Sequence, residues 1–159
     1  MGDIDIIMGS RAVLKPIRDN RIVVAVDLSP VSDSVVGEAS EIAKALNSDV
    51  QLISVIPVPG LAMAEGDLDR KDFRIQEEDY AALHRRLLEK YFSDSKLLVE
   101  TRILYGDPAK KIPEYAEKTN SRLIVLGNRG MGKIQSFLLG STSEGVIRNS
   151  RVSVLVVKH

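Results

Sequence analysis

The segment LIVLGNRGMGKIQSFLLGSTSEGVIRNSRVSVLVV, residues 123–157, holds the unit from which the fold can be read. Leu123–Leu126 is an apolar run without alternation, the pattern of a strand covered on both faces as in a parallel sheet. Gly127 ends it. A long loop rich in glycine follows, then a helix over about Ser141–Asn149, then a second apolar run, Val152–Val157. Strand, helix and strand in that order belong to a parallel α/β sheet.

The same alternation extends upstream. Ile22–Val26 is a β-branched run ending at Asp27, followed by Leu28-Ser29-Pro30. From about Ser32 to Leu46, Val35, Val36, Ala39, Ile42, Ala43 and Leu46 keep the helical period, with Ser32 as a candidate N-cap. Asn47-Ser48-Asp49 breaks that helix, and Val50–Ile56 is the second buried strand. Pro57, Pro59, Gly60 and Gly66 mark a loop before a long helix over 69–92, whose apolar stripe is Phe73, Tyr80, Leu83, Leu87 and Tyr91. In Leu97–Tyr105, Glu100 and Arg102 alternate with apolar residues, which fits a sheet edge. Gly106-Asp107-Pro108 starts a further helix, with Asp as N-cap and Pro at the first position, and Pro113 inside it predicts a kink or a tightened turn. The reading is an α/β domain over 21–159: a doubly wound five-stranded parallel sheet with helices on both faces. Residues 1–20 show no clear period and read as a weakly structured N-terminal extension.

Composition limits the chemistry. Lys+Arg and Asp+Glu balance at 22 each, which argues against a nucleic-acid or membrane-surface partner held by bulk charge. With no cysteine and two histidines, His84 and His159, neither a disulfide framework nor a typical zinc site is expected. The start, MGDIDIIMGS, fits no signal peptide, and the apolar runs are too short to cross a bilayer, so the cytoplasm is the expected compartment. His84 lies among charges in the long helix and reads as solvated or half-buried.

In doubly wound sheets ligands bind outside the carboxyl ends of the strands, where the strand order reverses. Asp27 directly follows the first strand, and Gly127-Asn128-Arg129-Gly130-Met131-Gly132-Lys133 directly follows the fourth. If those strands are neighbours, both segments flank one crevice. Glycines allow close backbone approach, and exposed N–H groups in such a loop make an anion-binding concavity. The loop reaches Gly140-Ser141-Thr142-Ser143, a helix N-terminus with its own unpaired N–H groups. Arg129 and Lys133 add charge suited to phosphate. Two common motifs fail: Ile134 stands where a Walker A loop needs Ser or Thr, and Gln135 stands at the third glycine of a dinucleotide fingerprint. Bland readings compete. The glycines could form only a turn, Asp27 could serve only the turn before Pro30, and Ser141-x-x-Glu144 reads as a capping box.

A third pattern fits throughout. Gly127-x-x-Gly130, nine residues, then Gly140-Ser141 resembles the nucleotide-binding signature of the universal stress protein family. The likeness extends to the strand ending in Asp27 with its Ser29, to Leu52-Ile53-Ser54-Val55 and to Gly106-Asp107-Pro108, so it covers about residues 21–158. The resemblance implies a Rossmann-like strand order of 3-2-1-4-5 and ATP in the crevice between strands one and four, with magnesium or manganese on its phosphates. By position, Asp27 would lie at the ribose and adenine end. Ala25, Val26 and Val55 would line the adenine pocket, partly through backbone groups, with Leu126 and Gly127 beside the ribose. Asn128, Arg129, Gly130, Gly132, Gly140, Ser141, Thr142 and Ser143 would form the phosphate loop. The chain departs from the family's habit in three places: Ser54 where many members carry His, Asn128 where many carry Ser, and Ser153 where Pro is frequent. The resemblance also implies a homodimer through the last strand, 152–157.

No general base or activated nucleophile accompanies the loop, so no catalytic residue is assigned and no metal is expected on side chains. The expected function is an ATP-binding regulatory, stress-response protein. The alternatives are a slow ATP hydrolase or nucleotidyl-transfer enzyme, and an interaction module that binds no nucleotide.

Overall fold

The computed structural model describes residues 4–6, 20–58, 73–128 and 139–158. In chain order the elements are β1 (Ile4–Ile6), β2 (Arg21–Ala25), α1 (Val31–Leu46), β3 (Asp49–Ile56), α2 (Arg74–Phe92), β4 (Val99–Tyr105), α3 (Pro108–Lys118), β5 (Leu123–Gly127), α4 (Ser141–Asn149) and β6 (Ser153–Val157). They form one sheet in the order β1-β4-β3-β2-β5-β6. Strands β2 to β6 are all parallel, so the five expected strands stand in the order 3-2-1-4-5.

The sheet differs from expectation at one edge. Ile4–Ile6, within the stretch read as a weakly structured extension, is a strand antiparallel to β4, with Asp5 opposite Arg102. The half-polar β4 is therefore the edge of the parallel set, as its alternation predicts, and β1 covers it opposite Thr101–Ile103. Covering an edge in this way removes a template for unwanted pairing.

Alternate residues of the strands inside the sheet feed two apolar layers, which is why β2 and β5 show no polar alternation. Ile22, Val24 and Val26 pack with Val50, Leu52, Val125 and residues of α1 and α2. Val23 and Ala25 pack on the other face with Ile53, Val55, Ile124, Leu126 and residues of α3 and α4. Helix α1 ends where Asn47 takes a left-handed φ of 48° and gives its N–H to the Ala43 and Lys44 carbonyls, matching the predicted break. Its start differs from expectation. Pro30 is the N-cap residue and makes no side-chain cap, and the Ser32 hydroxyl is used elsewhere. Asp33, in the first turn of α1, holds α2 through Arg86 at 2.7 Å, Lys90 at 2.8 Å and Tyr91 at 3.1 Å. The hydrogen bonds from Lys90 and Arg86 hold its carboxyl at a pKa of about 2. Of the long helix expected over 69–92, the part before residue 73 lies outside the described residues.

Pro113 sits within α3 and cannot donate to the carbonyl four residues back, that of Ala109. That carbonyl instead accepts from Asn149 Nδ2 of α4 at 3.1 Å, so a side chain of the neighbouring helix fills the gap the proline leaves. The helices are close here because Gly145 faces Ala109. A Cβ at position 145 would lie 2.5 Å from the Ala109 Cβ.

This contact sets the sign of a substitution. In an open helix Gly→Ala stabilises by about 0.5–1 kcal/mol. At 145 the added methyl meets a carbon fixed to backbone, and overpacking of that kind costs about 1–3 kcal/mol. Gly145→Ala is expected to lower the denaturant midpoint, and Ala109→Gly in the same chain is expected to restore most of the loss. Equal midpoints for Gly145→Ala and the wild type would contradict the close packing.

Candidate functional site

Strand β2 lies between β3 and β5, with Ala25 opposite Ile53 on one side and Val24 opposite Val125 on the other. The chain builds outward from β2 through β3 to β4, then returns to add β5 and β6. The switch point is thus between β2 and β5, and both segments singled out by sequence emerge there.

The β5 end is tied to α4. Asn128 N–H donates to the Val157 carbonyl at 2.9 Å, and its own carbonyl accepts from Gly140 N–H at 2.8 Å. Ser143 Oγ lies 3.2 Å from the Asn128 carbonyl and 2.9 Å from that of Gly140, so its single proton serves those two acceptors. The two ends of the glycine-rich segment, Asn128 and Gly140, are therefore in direct contact. Arg129, Gly130 and Gly132 lie outside the described residues.

The capping-box reading of Ser141 is not what the structure shows. Gly140 is the N-cap residue, no side chain among the described residues caps the helix, and Ser141 is the first helical residue. Glu144 N–H makes the first helical bond, to Gly140, while its carboxylate pairs with Arg148 at 2.6 Å. The N–H groups of Ser141, Thr142 and Ser143 find no acceptor among the described residues. Gly140 has φ −67° and ψ 156°, a conformation open to any residue. The backbone does not require a glycine there, yet the position carries none of the usual capping side chains. Asn128 Oδ1 is buried beside it without a partner among the described residues.

The β2 end is held by serines. Ser32 Oγ–H donates to the Asp27 carbonyl at 2.6 Å, and the hydroxyl accepts from Asp27 N–H at 3.1 Å. Asp27 Oδ1 accepts from Ser29 N–H at 3.0 Å and from the Ser29 hydroxyl. The turn reading of Asp27 is thus realised, and it coexists with the strand-end position. Val26 N–H donates to Ile53 at 2.9 Å, and its carbonyl accepts from Ser54 Oγ at 2.8 Å.

The apolar candidates divide between the faces. Ala25, Val55 and Leu126 share the layer under α3 and α4. Val26 points its side chain into the opposite layer. Ser141 is exposed, Thr142 is partly exposed and Ser143 is buried.

Sequence reading missed a second feature of this end. His84 is 2 % exposed, not solvated, and its Nε2 lies 2.8 Å from Ser54 Oγ. Tyr80, His84 and Leu87 form one helical row facing the β3 row Ile56, Ser54 and Leu52. The spacing of His84 from Tyr80 and Leu87 carried the signal, which its charged neighbours masked. Burial lowers the His84 pKa to about 4. Burial, and then the charge of Asp27, raises that of the Tyr80 phenol.

Known proteins agree with this architecture. The universal stress protein family matches residues 20–158. The chain belongs to that family. It is 37 % identical over 141 residues to universal stress protein MJ0531 of Methanocaldococcus jannaschii, covering 87 % of this chain and 81 % of that protein. Among solved structures, UspA from Lactobacillus plantarum superposes with a TM-score of 0.67 at 25 % identity, covering 88 % and 98 % of the two chains. A universal stress protein in complex with cAMP superposes with a TM-score of 0.64 at 27 % identity, covering 87 % and 96 %. This family member has, among its described residues, no helix long and apolar enough to cross a membrane.

The buried histidine gives a pH dependence with a defined sign. Its folded pKa lies below the ordinary value of 6.5, so the folded state favours the neutral ring. The stability this provides is complete above pH 6.5 and is lost as the pH falls towards 4. Between pH 7.5 and pH 5 this one group is expected to cost about 2 kcal/mol in urea unfolding. His84→Gln is expected to flatten that slope. An unchanged slope in the variant would assign the acid sensitivity to other groups.

Proposed function

We propose that this chain is a cytoplasmic, ATP-binding regulatory protein of the stress response, with its nucleotide in the crevice between the ends of β2 and β5. The carrying observation is the start of α4: a glycine N-cap that the backbone does not demand, above three N–H groups with no acceptor among the described residues. Such a helix terminus favours a polyanion. The universal stress protein in complex with cAMP supports a nucleotide in particular.

In this reading Asp27, Ala25, Val55 and Leu126 with Gly127 serve the nucleoside end. Asn128, Arg129, Gly130, Gly132, Gly140, Ser141 and Thr142 serve the phosphates. Two roles narrow. The N–H and carbonyl of Val26 already have partners, so it shapes the pocket rather than reading the base. Ser143 offers its N–H, since its hydroxyl proton is committed. Among the described residues no cluster of His, Cys, Asp or Glu gathers to hold a metal ion, so magnesium or manganese would ride on the phosphate oxygens. Catalysis is absent or slow. The alternative is slow ATP hydrolysis or nucleotidyl transfer on the same scaffold.

Assembly follows from the open edge. Among the described residues β6 pairs only with β5, at the end of the sheet, and Val154, Leu155 and Val156 remain half-buried. We place a two-fold homodimer at this strand, since an apolar edge needs cover.

Gly140→Asp separates binding from folding. The carboxylate caps the free N–H groups, so stability is expected to hold or rise by roughly a few tenths of a kcal/mol. The same charge should weaken ATP binding by more than about tenfold, read by calorimetry. For the wild type, ATP with magnesium at 100 times its dissociation constant should add about 2.7 kcal/mol of stability. No thermal shift at millimolar ATP would reject the proposal. Sustained turnover near the enzyme median of about 10 per second would favour the catalytic alternative. Light scattering at micromolar concentration should give the mass of a dimer, and a monomer mass would refute the edge contact.

A further inference from the structure

Ser54 and His84 are buried polar groups joined to the β2 end of the crevice that the proposed function leaves unassigned. Ser54 is 1 % exposed and His84 2 %. Ser54 Oγ is 2.8 Å from the Val26 carbonyl and 2.8 Å from His84 Nε2. A hydroxyl has one proton, and a carbonyl only accepts. With the serine proton on Val26, the second contact requires a hydrogen on His84 Nε2. His84 Nδ1 then carries a lone pair, and it is buried without a partner among the described residues. A directed chain results: His84 Nε2–H to Ser54, then Ser54 O–H to the Val26 carbonyl.

The chain ends at a particular peptide. β2 stops at Ala25, and the Val26 carbonyl is the last main-chain group before Asp27. The two Asp27 main-chain groups are held from the other side by Ser32. The Val26–Asp27 peptide is therefore clamped between a hydroxyl of β3, backed by α2, and a hydroxyl of α1. We infer that Ser54 and His84 are positioning residues for nucleotide recognition, fixing the peptide that aims Asp27 into the crevice. The inference rests on the nucleotide reading above. It adds a determinant, the α2 imidazole, that touches no ligand.

A purely structural role and a positioning role differ in what they move. If the clamp orients the nucleoside end, breaking it should weaken adenosine and ATP by the same factor. Loss of one oriented hydrogen bond corresponds to about five- to tenfold. Ser54→Ala and His84→Leu are expected to show that loss for both ligands by calorimetry, at a temperature well below their melting points. His84→Gln places an amide N–H where Nε2–H stood, so it is expected to bind within about twofold of the wild type.

The outcomes separate cleanly. Wild-type protein that binds neither adenosine nor ATP overturns the nucleotide reading and the clamp with it. Wild-type binding with unchanged affinity in Ser54→Ala and in His84→Leu overturns the clamp alone. So does a His84→Gln protein as weak as His84→Leu, or a loss confined to ATP.

Discussion

The site depends on one hydrogen bond, that from Gly140 N–H to the Asn128 carbonyl at 2.8 Å. It joins the point where the chain leaves β5 to the point where α4 begins. Asn128 is itself fixed to Val157 of β6 by its N–H, so the helix terminus is referenced to two strands. A helix dipole acts within about one turn of its end, so its worth to a ligand depends on where that end is held. Here the hold comes from main chain. The Ser143 hydroxyl, which a shorter reading would give to the ligand, helps to fasten the same corner.

The opposite wall is organised on a different principle. Past Ala25 the chain leaves the ladder while still buried, and buried main-chain polar groups must be paired. Serine suits this place because one small hydroxyl can donate and accept at once. Ser32 does so for both groups of Asp27, and Ser54 links the Val26 carbonyl to His84. The cost is that α1 starts without a side-chain cap, since Ser32 turns inward to the strand end. Local helix energetics yield to the shape of the crevice.

Much of this was legible in the sequence, and the failures share a cause. Apolar runs without alternation located four of the five parallel strands, because burial on both faces leaves no room for polar residues, and the half-polar alternation of Leu97–Tyr105 located the fifth at the edge of the parallel set. Asp107-Pro108 and Asn47 marked helix ends because their local chemistry suffices. Ser32 and Ser141 were misplaced as caps because each sits beside a better-placed partner that local spacing does not reveal. For Ser32 the partner is Asp27, and for Ser141 it is a glycine that takes the cap position itself. His84 was misread because four charges nearby outweigh a spacing that places it beside Tyr80 and Leu87. Burial of a histidine depends on a hydroxyl 30 residues away in sequence, which no local pattern shows. The short strand Ile4–Ile6 has three residues, fewer than a period needs to declare itself.

The two walls therefore differ in what can disturb them. The wall between β5 and α4 is held by peptide groups, which do not titrate and which most side-chain changes leave in place. The wall between β2 and β3 is held by side chains, and His84 and Tyr80, whose pKa values are displaced, lie on α2 behind it. Protonation of His84 leaves Nε2–H donating to Ser54 but puts a second hydrogen on Nδ1, where no acceptor waits among the described residues. Its immediate effect is on the packing of α2 against β3, and only through that packing on Asp27. The main-chain hold at the start of α4 and the side-chain packing behind Asp27 are thus separable properties of one crevice.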